Sequence, residues 1–322
     1  MWRPERLAVG PRPATGVDIP ALNRVFSDSF TERYHRDGLV SVRVPQLNPD
    51  VWTYAIRDAG NGAMLWHDEQ DQLVAFNIAH RSGTEGWMGP LAVRTDRQEM
   101  GLGRIIVTAA IEWLRNEGVT TVGLETMPRT VENIGFYGRL GFVPGHLTVT
   151  MTGEASRRRV AGGSVLLGRL DVADREALIE RCRARVDRSA RGYDFTREVE
   201  LTHELGLGDT VVLERGGEVI GFAIWHSAPL AAERHAEELR VLKLFADSGS
   251  TFERLILTLE GLAARKNLPK VAVRMQTAHQ AAYQVLIERG YRVRWTDLRM
   301  TLDGFAEAAV PQGEVLFSNW EI

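Results

Sequence analysis

Gln98-Glu99-Met100-Gly101-Leu102-Gly103-Arg104 is the stretch whose reading decides the fold. It follows the apolar run Leu91-Ala92-Val93 and a polar step, and it opens a segment in which Leu102, Ile105, Ile106, Ala109 and Trp113 recur at helical spacing. The pattern predicts a strand, a tight loop and a helix with one buried face. Two glycines at such a junction let backbone N–H groups approach an anion with no β-carbon in the way. The unpaired N–H groups of the first helical turn and the positive end of the helix dipole favour a diphosphate, and Arg104 adds a charge nearby. Two other phosphate loops fail here. The dinucleotide fingerprint needs a third glycine where this chain has Ile106, and a Walker loop needs Gly-Lys-Ser/Thr where Gly103 is followed by Arg104-Ile105.

Working outward, residues 19–36 read as a helix, and residues 62–67 and 73–80 as two strands joined by the polar turn 68–72. A strand at 87–93 feeds the glycine loop, and the helix after it ends at Gly118. Another strand at 119–126, a short helix around Asn133 and a close at Gly141-Phe142 complete an α/β unit with a mixed sheet flanked by helices.

The order recurs in the second half, with a strand at 164–170, a helix from Ala173, strands at 210–215, 218–226 and 239–245, and a helix at 251–266. An offset of 149 positions sets Gly290-Tyr291 on Gly141-Phe142, Val271 and Val273 on Val122 and Leu124, and Val285 on Phe136. Two tandem domains are expected, residues 1–153 and 164–322, with a linker at 154–163 that carries Arg157-Arg158-Arg159. The copies differ in chemistry. At that offset Asp247, Ser250, Phe252 and Glu253 stand for Gln98, Gly101, Gly103 and Arg104, while Ala282 and Leu286 stand for Asn133 and Tyr137. Two acids and a bulky ring would repel a diphosphate, so the second copy is expected to be catalytically silent and structural. It would share an interface, complete the first sheet or wall the acceptor cleft, with residues 314–320 as a suitable closing strand.

Composition bounds the partners. The 322 residues are 44% hydrophobic and 25% charged, ordinary for a folded chain of two domains. Lysine and arginine number 39 against 42 acids, a net charge of −3 and no field for nucleic acid. No run reaches the roughly 18 apolar residues of a membrane span, and the N-terminus lacks a signal-peptide core. The single cysteine, Cys182, makes no internal disulfide, so a cytoplasmic location is the default expectation. Histidines 35, 67 and 80 have no metal-ligand spacing, so no metal is expected.

Residues 91–142 resemble the GNAT acetyltransferase superfamily, whose first motif is Arg/Gln-x-x-Gly-x-Gly/Ala and whose second is an Asn followed by a Tyr and a Gly-Phe. Here these are Gln98 to Gly103, then Asn133, Tyr137 and Gly141-Phe142, in order. The resemblance covers about a sixth of the chain, and the repeat is similar in architecture to tandem members such as mycothiol synthase. It implies acetyl-coenzyme A as cosubstrate. Leu91, Ala92 and Val93 would line the pantetheine arm, with backbone groups offered by Leu91 and Val93. Gln98, Glu99, Met100, Gly101, Leu102, Gly103 and Arg104 would cradle the diphosphate, and Asn133 and Phe136 would flank the arm's other side. Tyr137 would lie near the sulfur and give the departing thiolate a proton.

Acyl transfer to an amine needs the neutral amine, whose ammonium form has a pKa near ~10, so a base or a water relay must take a proton. The strand carboxylate of some protein-lysine acetylating relatives is replaced here by Trp87, which leaves the base unassigned. Glu125 ranks ahead of Glu85 as candidate, and a solvated strand end or an ion pair is the plain alternative for each. Tyr34-His35, at the end of the first helix, stands where substrates often enter in this family. The leading expectation is an N-acetyltransferase acting on a small-molecule primary amine, with a homodimer compatible. The rivals are a protein-lysine or N-terminal acetyltransferase and a non-catalytic coenzyme A sensor or scaffold.

Overall fold

The computed structural model describes residues 8–156 and 163–320; residues 157–162, which include Arg157-Arg158-Arg159 of the expected linker, lie outside it. The first half runs β1 (Val9–Pro13), α1 (Ile19–Arg36), α2 (Pro49–Ala59), β2 (Ala63–His67), β3 (Leu73–Ser82), β4 (Glu85–Val93), α3 (Leu102–Asn116), β5 (Thr121–Thr126), α4 (Val131–Gly138) and β6 (Phe142–Glu154). The second half has the same order: β7 (Ser164–Leu166), α5 (Val172–Ser189), α6 (Thr196–Glu204), β8 (Gly208–Arg215), β9 (Glu218–His226), β10 (Glu238–Ala246), α7 (Gly249–Arg265), β11 (Lys270–Gln276), α8 (Gln280–Glu288) and β12 (Arg292–Leu302). A short strand, β13 (Val315–Ser318), follows.

All strands join one mixed sheet in the order β1-β2-β3-β4-β5-β12-β6-β11-β10-β9-β8-β7, with β13 on β10. Neighbours are antiparallel except β4 with β5 and β10 with β11, the corresponding pair in each half. Helices cover both faces, which is why β3 reads as a nearly unbroken apolar run. Its Phe76 and Ile78 pack with Leu22 of α1 and Trp52 of α2, and its Val74 packs with Ile106 of α3.

The two halves exchange their last strands. β12 lies between β5 and β6, and β6 lies between β12 and β11. Arg299 pairs with Glu125 and Met300 with Leu124, and the partners 149 positions away, Arg274 with Thr150 and Val273 with Met151, pair as well. Thr148 pairs with Asp297, its own counterpart at that offset, so the sheet has an approximate two-fold axis at this pair. Met300 is fully buried among Leu102, Ile106, Leu124 and Tyr137, while Met151 is buried among Phe252, Leu255 and Val273. Each half thus places a side chain worth about 2 kcal/mol of burial in the other's core.

One expectation is corrected here: the strand that enters the first half's sheet is β12, not residues 314–320. β13 pairs with β10 of its own half, because Val315 to Ser318 match the edge that β10 leaves beside β11. Only its side chains and tail reach the first half: Ser318 Oγ donates to Glu85, and the Trp320 ring stacks on His80 at 5.7 Å.

Candidate active site

β4 and β5 pair in parallel from Glu85–Thr121 to Met88–Leu124, and the pairing ends there although both strands continue. The cause lies in β4, where Gly89-Pro90 puts one extra residue against β3 between the pairs Ala79–Met88 and Asn77–Leu91. Beyond that bulge the two strands splay. Arg94 N–H donates to Val74 O, so by alternation Ala92 bonds to β3 while Leu91 and Val93 turn their backbone groups to the open edge. The Val93 carbonyl already accepts from Ser29 Oγ and Gln98 Nε2, both at 3.0 Å. Gln98 therefore fastens the loop to the strand with its side chain, and Leu91 offers both backbone groups where Val93 offers its N–H.

The loop turns through two left-handed residues, Glu99 (φ 63°) and Gly101 (φ 87°), and Gly101 is the N-cap of α3 with no side chain capping the first turn. Glu99, Met100 and Arg104 are exposed, and Leu102 is buried as an anchor. A Cβ built on Gly103 would lie 3.5 Å from Phe136 Cζ, so the bare glycine leaves a gap about one methyl deep between α3 and α4. The corresponding end of α7 is closed. Ser248 caps it by accepting from Thr251 N, Asp247 accepts from Ser248 Oγ and Thr251 Oγ1, and Phe252 is fully buried against Phe317.

α4 carries the second motif. Asn133 Nδ2 donates to Thr126 Oγ1 at 3.4 Å, which ties the helix to the end of β5. Phe136 is half-buried beside Gly103, and Tyr137 is buried against Phe136 and Phe142. Burial raises the Tyr137 phenol above its ordinary value, and no described side chain or backbone group bonds its hydroxyl. A protonated donor results.

The opposite face of the sheet holds a strip of polar side chains. Glu85, 1% exposed, accepts from Trp87 Nε1 and Ser318 Oγ, and Arg299 lies 3.7 Å over the Trp87 ring. Trp87 lies flat there because position 123 is glycine, where a Cβ would fall 2.4 Å from the ring. At one end of the strip Lys243, also 1% exposed, meets Ser82, Ser318 and Glu198. At the other end Glu125 accepts from Thr148, Arg299 and Arg274, and Arg274 also reaches Asp297 at 3.1 Å. Here the side chains are 15 to 26% exposed, so the strip opens to solvent at this end. Burial works to raise the Glu125 carboxyl, but Arg274 and Arg299 outweigh it and hold it below its ordinary value. Burial dominates at Asp297 and, with Glu125 adding to it against Arg274, raises that carboxyl. Burial likewise raises Glu85.

The motif residues thus gather around the splay and the α3–α4 groove. Glu85 and Glu125 lie on the other face, each tied into the ionic strip. Asp297 was missed by sequence reasoning because only the strand exchange brings it there, 172 positions after Glu125 in the chain. Tyr34, at the end of α1, faces Trp295 with ring centroids 5.9 Å apart.

Residues 20–142 match the model of the acetyltransferase (GNAT) family. The match runs from α1 to the first residue of β6 and contains the splay, the loop and the α3–α4 groove. A serotonin N-acetyltransferase 2 of rice, a chloroplastic protein of Oryza sativa subsp. japonica, is 30% identical over 132 residues, 41% of this chain, and the chain spans 59% of that relative's length. Among solved structures, a proposed acetyltransferase from Pyrococcus horikoshii superposes with a TM-score of 0.69 at 17% identity, covering 96% of this chain and 93% of its own. A GCN5-related N-acetyltransferase from Sphaerobacter thermophilus gives 0.62 at 15% identity, with 94% and 98% covered. N-myristoyltransferase of Saccharomyces cerevisiae with bound myristoyl-CoA gives 0.62 at 10% identity, with 92% and 82% covered. These structural likenesses extend the shared fold beyond the GNAT region to nearly the whole chain.

Other candidates stand apart from this site. A recess of 490 Å³ lined by Ser164, Arg169, Thr258 and Arg265 among others lies in the second half and shares no residue with the groove. Cys182 is buried and its thiol is pushed up to about 12, so it is not a nucleophile. Among the described residues no group of His, Cys, Asp and Glu side chains could hold a metal ion, and no helix is long and apolar enough to cross a membrane.

Proposed function

We propose that the chain is an acetyl-coenzyme A dependent N-acetyltransferase whose acceptor is a small-molecule primary amine. The observation that carries this reading is the α3 terminus. It is a helix start with no side-chain cap, opened by a left-handed Gly101 and a bare Gly103, beside a strand whose edge is turned outward at Leu91 and Val93. A diphosphate fits the first-turn N–H groups, and an extended amide-bearing arm fits the strand edge. The name of the rice relative, a serotonin N-acetyltransferase, supports a small amine as acceptor.

In this reading residues 98–104 hold the diphosphate through backbone N–H groups, with Gln98 keeping the loop against β4. Leu91, Ala92 and Val93 line the arm, and Asn133 and Phe136 form its other wall. The cosubstrate supplies an activated acetyl thioester. Tyr137, protonated by its burial, holds the proton that a leaving thiolate requires. Glu125 is kept ionised by two arginines and serves as an ion-pair partner, and Glu85 is closed in by Trp87 and Ser318, so neither is assigned as base. We read residues 1–153 and 164–322 as two copies of one fold, the second silent because α7 caps itself and Phe252 fills the position of Gly103.

The test is calorimetric titration with acetyl-coenzyme A followed by a screen of primary amines and basic peptides for release of free thiol. Micromolar binding with amine-dependent release is expected. Release with peptides alone would point to a protein acceptor, and binding without release to a sensor or scaffold.

A further inference from the structure

Resting on the acetyltransferase reading, we propose that the second half supplies the acceptor side of the site: Asp297 receives the acceptor's ammonium group and takes its proton, and Tyr34 and Trp295 hold the acceptor's body. The strand exchange places Asp297 on the axis between the halves, where Trp295 Nε1 donates to one of its oxygens at 3.0 Å and Arg274 to the other at 3.1 Å. These two bonds fix the carboxylate and leave each oxygen a further acceptor site. The exposure of Asp297, Glu125 and Arg274 marks the place where the otherwise closed polar strip meets solvent. Tyr34 comes from α1 in the GNAT region and Trp295 from β12, so the aromatic pair spans the two halves.

The charges facing Asp297 favour a cation. Glu125 comes from β5 and Arg274 from β11, and both contact it directly or through the shared guanidinium. Arg299, on β12 itself, is divided among Glu125, Glu85 and Glu307. Tyr34 of α1 has its hydroxyl raised by burial first and then by the nearby Asp297 and Asp37, and Asp37, at the C-cap of α1, is itself paired with Arg33. The two carboxylates share one arginine, so an ammonium completes the pairing where an anion would be repelled. The aromatic pair accommodates a cation or an apolar chain, which selects a primary amine with an aromatic or apolar body.

The step balances. An ammonium N–H bond breaks, its proton passes to an Asp297 oxygen and on to solvent, and the electron pair stays on nitrogen. Nitrogen then bonds to the thioester carbonyl carbon, the C–S bond breaks, and the thiolate takes the Tyr137 proton. The second proton lost by nitrogen as the amide forms restores Tyr137, so one proton leaves overall. Raising of the Asp297 carboxyl by burial makes it a better acceptor than Glu125.

The experiment uses the full chain, with phenethylamine and n-butylamine as probes. In Asp297→Asn, kcat/KM for phenethylamine is expected to fall about 100-fold, the size of a lost acid–base group, while acetyl-coenzyme A affinity stays within twofold. The wild-type acidic limb of kcat/KM, set by protonation of Asp297, is expected to vanish. Tyr34→Ala lies outside the sheet and serves if the first variant fails to fold; it should raise KM for phenethylamine about tenfold, with kcat and cofactor affinity kept. Asp297→Asn with wild-type kcat/KM and an unchanged pH profile overturns the proposal, as does Tyr34→Ala with unchanged KM. A wild type that binds no acetyl-coenzyme A removes the acetyltransferase reading instead. In that event phenethylamine binding by calorimetry decides the acceptor site: loss of binding in Asp297→Asn supports it, and equal binding or none to the wild type overturns it.

Discussion

Arg274 and Glu125 occupy the same place in the two halves, 149 positions apart, and their side chains form an ion pair across the axis of the sheet. The pair works because the positions carry opposite charges where the repeat would have placed like ones. Arg274 also holds Asp297, so its removal leaves two carboxylates side by side with Arg299 as the remaining cation. Breaking a fully buried pair costs about 3–5 kcal/mol, and the 20–26% exposure of these side chains reduces that. Arg274→Met is expected to lower unfolding stability by roughly 2 kcal/mol. Urea denaturation at neutral pH measures it, and the loss should shrink as pH falls and the freed carboxylates protonate.

Much of the fold could be read from residues whose local pattern and tertiary setting agree. α1 and α3, the hairpin of β2 and β3, and the 149-position correspondence from α3 to β12 all rest on periodicity and glycine stops that the packing leaves in place. α2 was missed although Asn48-Pro49 is a capping residue followed by a first-turn proline, and Asn48 does accept from Asp50 N. Its apolar residues carry the signal too, since Val51, Trp52, Ala55, Ile56 and Ala59 fall at helical spacing and are buried on one face. The splay, the glycine loop and the α3–α4 groove were legible since residues 91–142 alone build them. Of the residues proposed for the acceptor side, Tyr34 and Glu125 were singled out from the sequence, whereas Arg274, Trp295 and Asp297 were not, because strand exchange is a property of pairing that no local pattern encodes.

That exchange makes the halves interdependent. Residues 1–156 alone would leave the β5 edge at Gly123 to Thr126 unpaired and remove Met300 from the core around Tyr137. An exposed strand edge beside an apolar gap favours aggregation. The isolated fragment is therefore expected to aggregate or to lack acetyl-coenzyme A binding, whereas co-expression with residues 157–322 restores a soluble, binding complex. Size-exclusion chromatography and calorimetry check both outcomes, and a fragment that is monomeric and binds like the full chain contradicts them.

Gly103 offers a case in which stability and binding should move apart. Its position in the first turn of α3 allows an ordinary helical side chain, and a Cβ there meets Phe136 at a normal contact distance. Gly103→Ala should thus be neutral or stabilising by up to about 1 kcal/mol. The same methyl enters the gap assigned to the diphosphate, so cofactor affinity is expected to drop about tenfold, and Gly103→Glu should abolish it by adding bulk and negative charge. Thermal unfolding and titration calorimetry on the same preparations separate the two effects. Gly101→Ala should instead lower stability by about 1 kcal/mol, since its left-handed backbone disfavours a β-carbon.

Tyr137 carries the last prediction. The residue is buried and its hydroxyl has no described hydrogen-bond partner, so removing it breaks nothing in the fold, and Tyr137→Phe should unfold at the same temperature or slightly higher. A tyrosine kept only for packing would tolerate that change in turnover as well. As proton donor to the leaving thiolate it would not, and kcat is expected to fall about 100-fold with acetyl-coenzyme A affinity unchanged. The sign of its pH dependence follows from burial, which disfavours the phenolate and raises the phenol above its ordinary value of 10.0. The donor form therefore persists through the alkaline range, and wild-type kcat should show no decline assignable to Tyr137 up to that pH. Stopped-flow thiol release for the two proteins, measured from neutral pH upward, gives the comparison, and equal rates would leave the ring as packing alone.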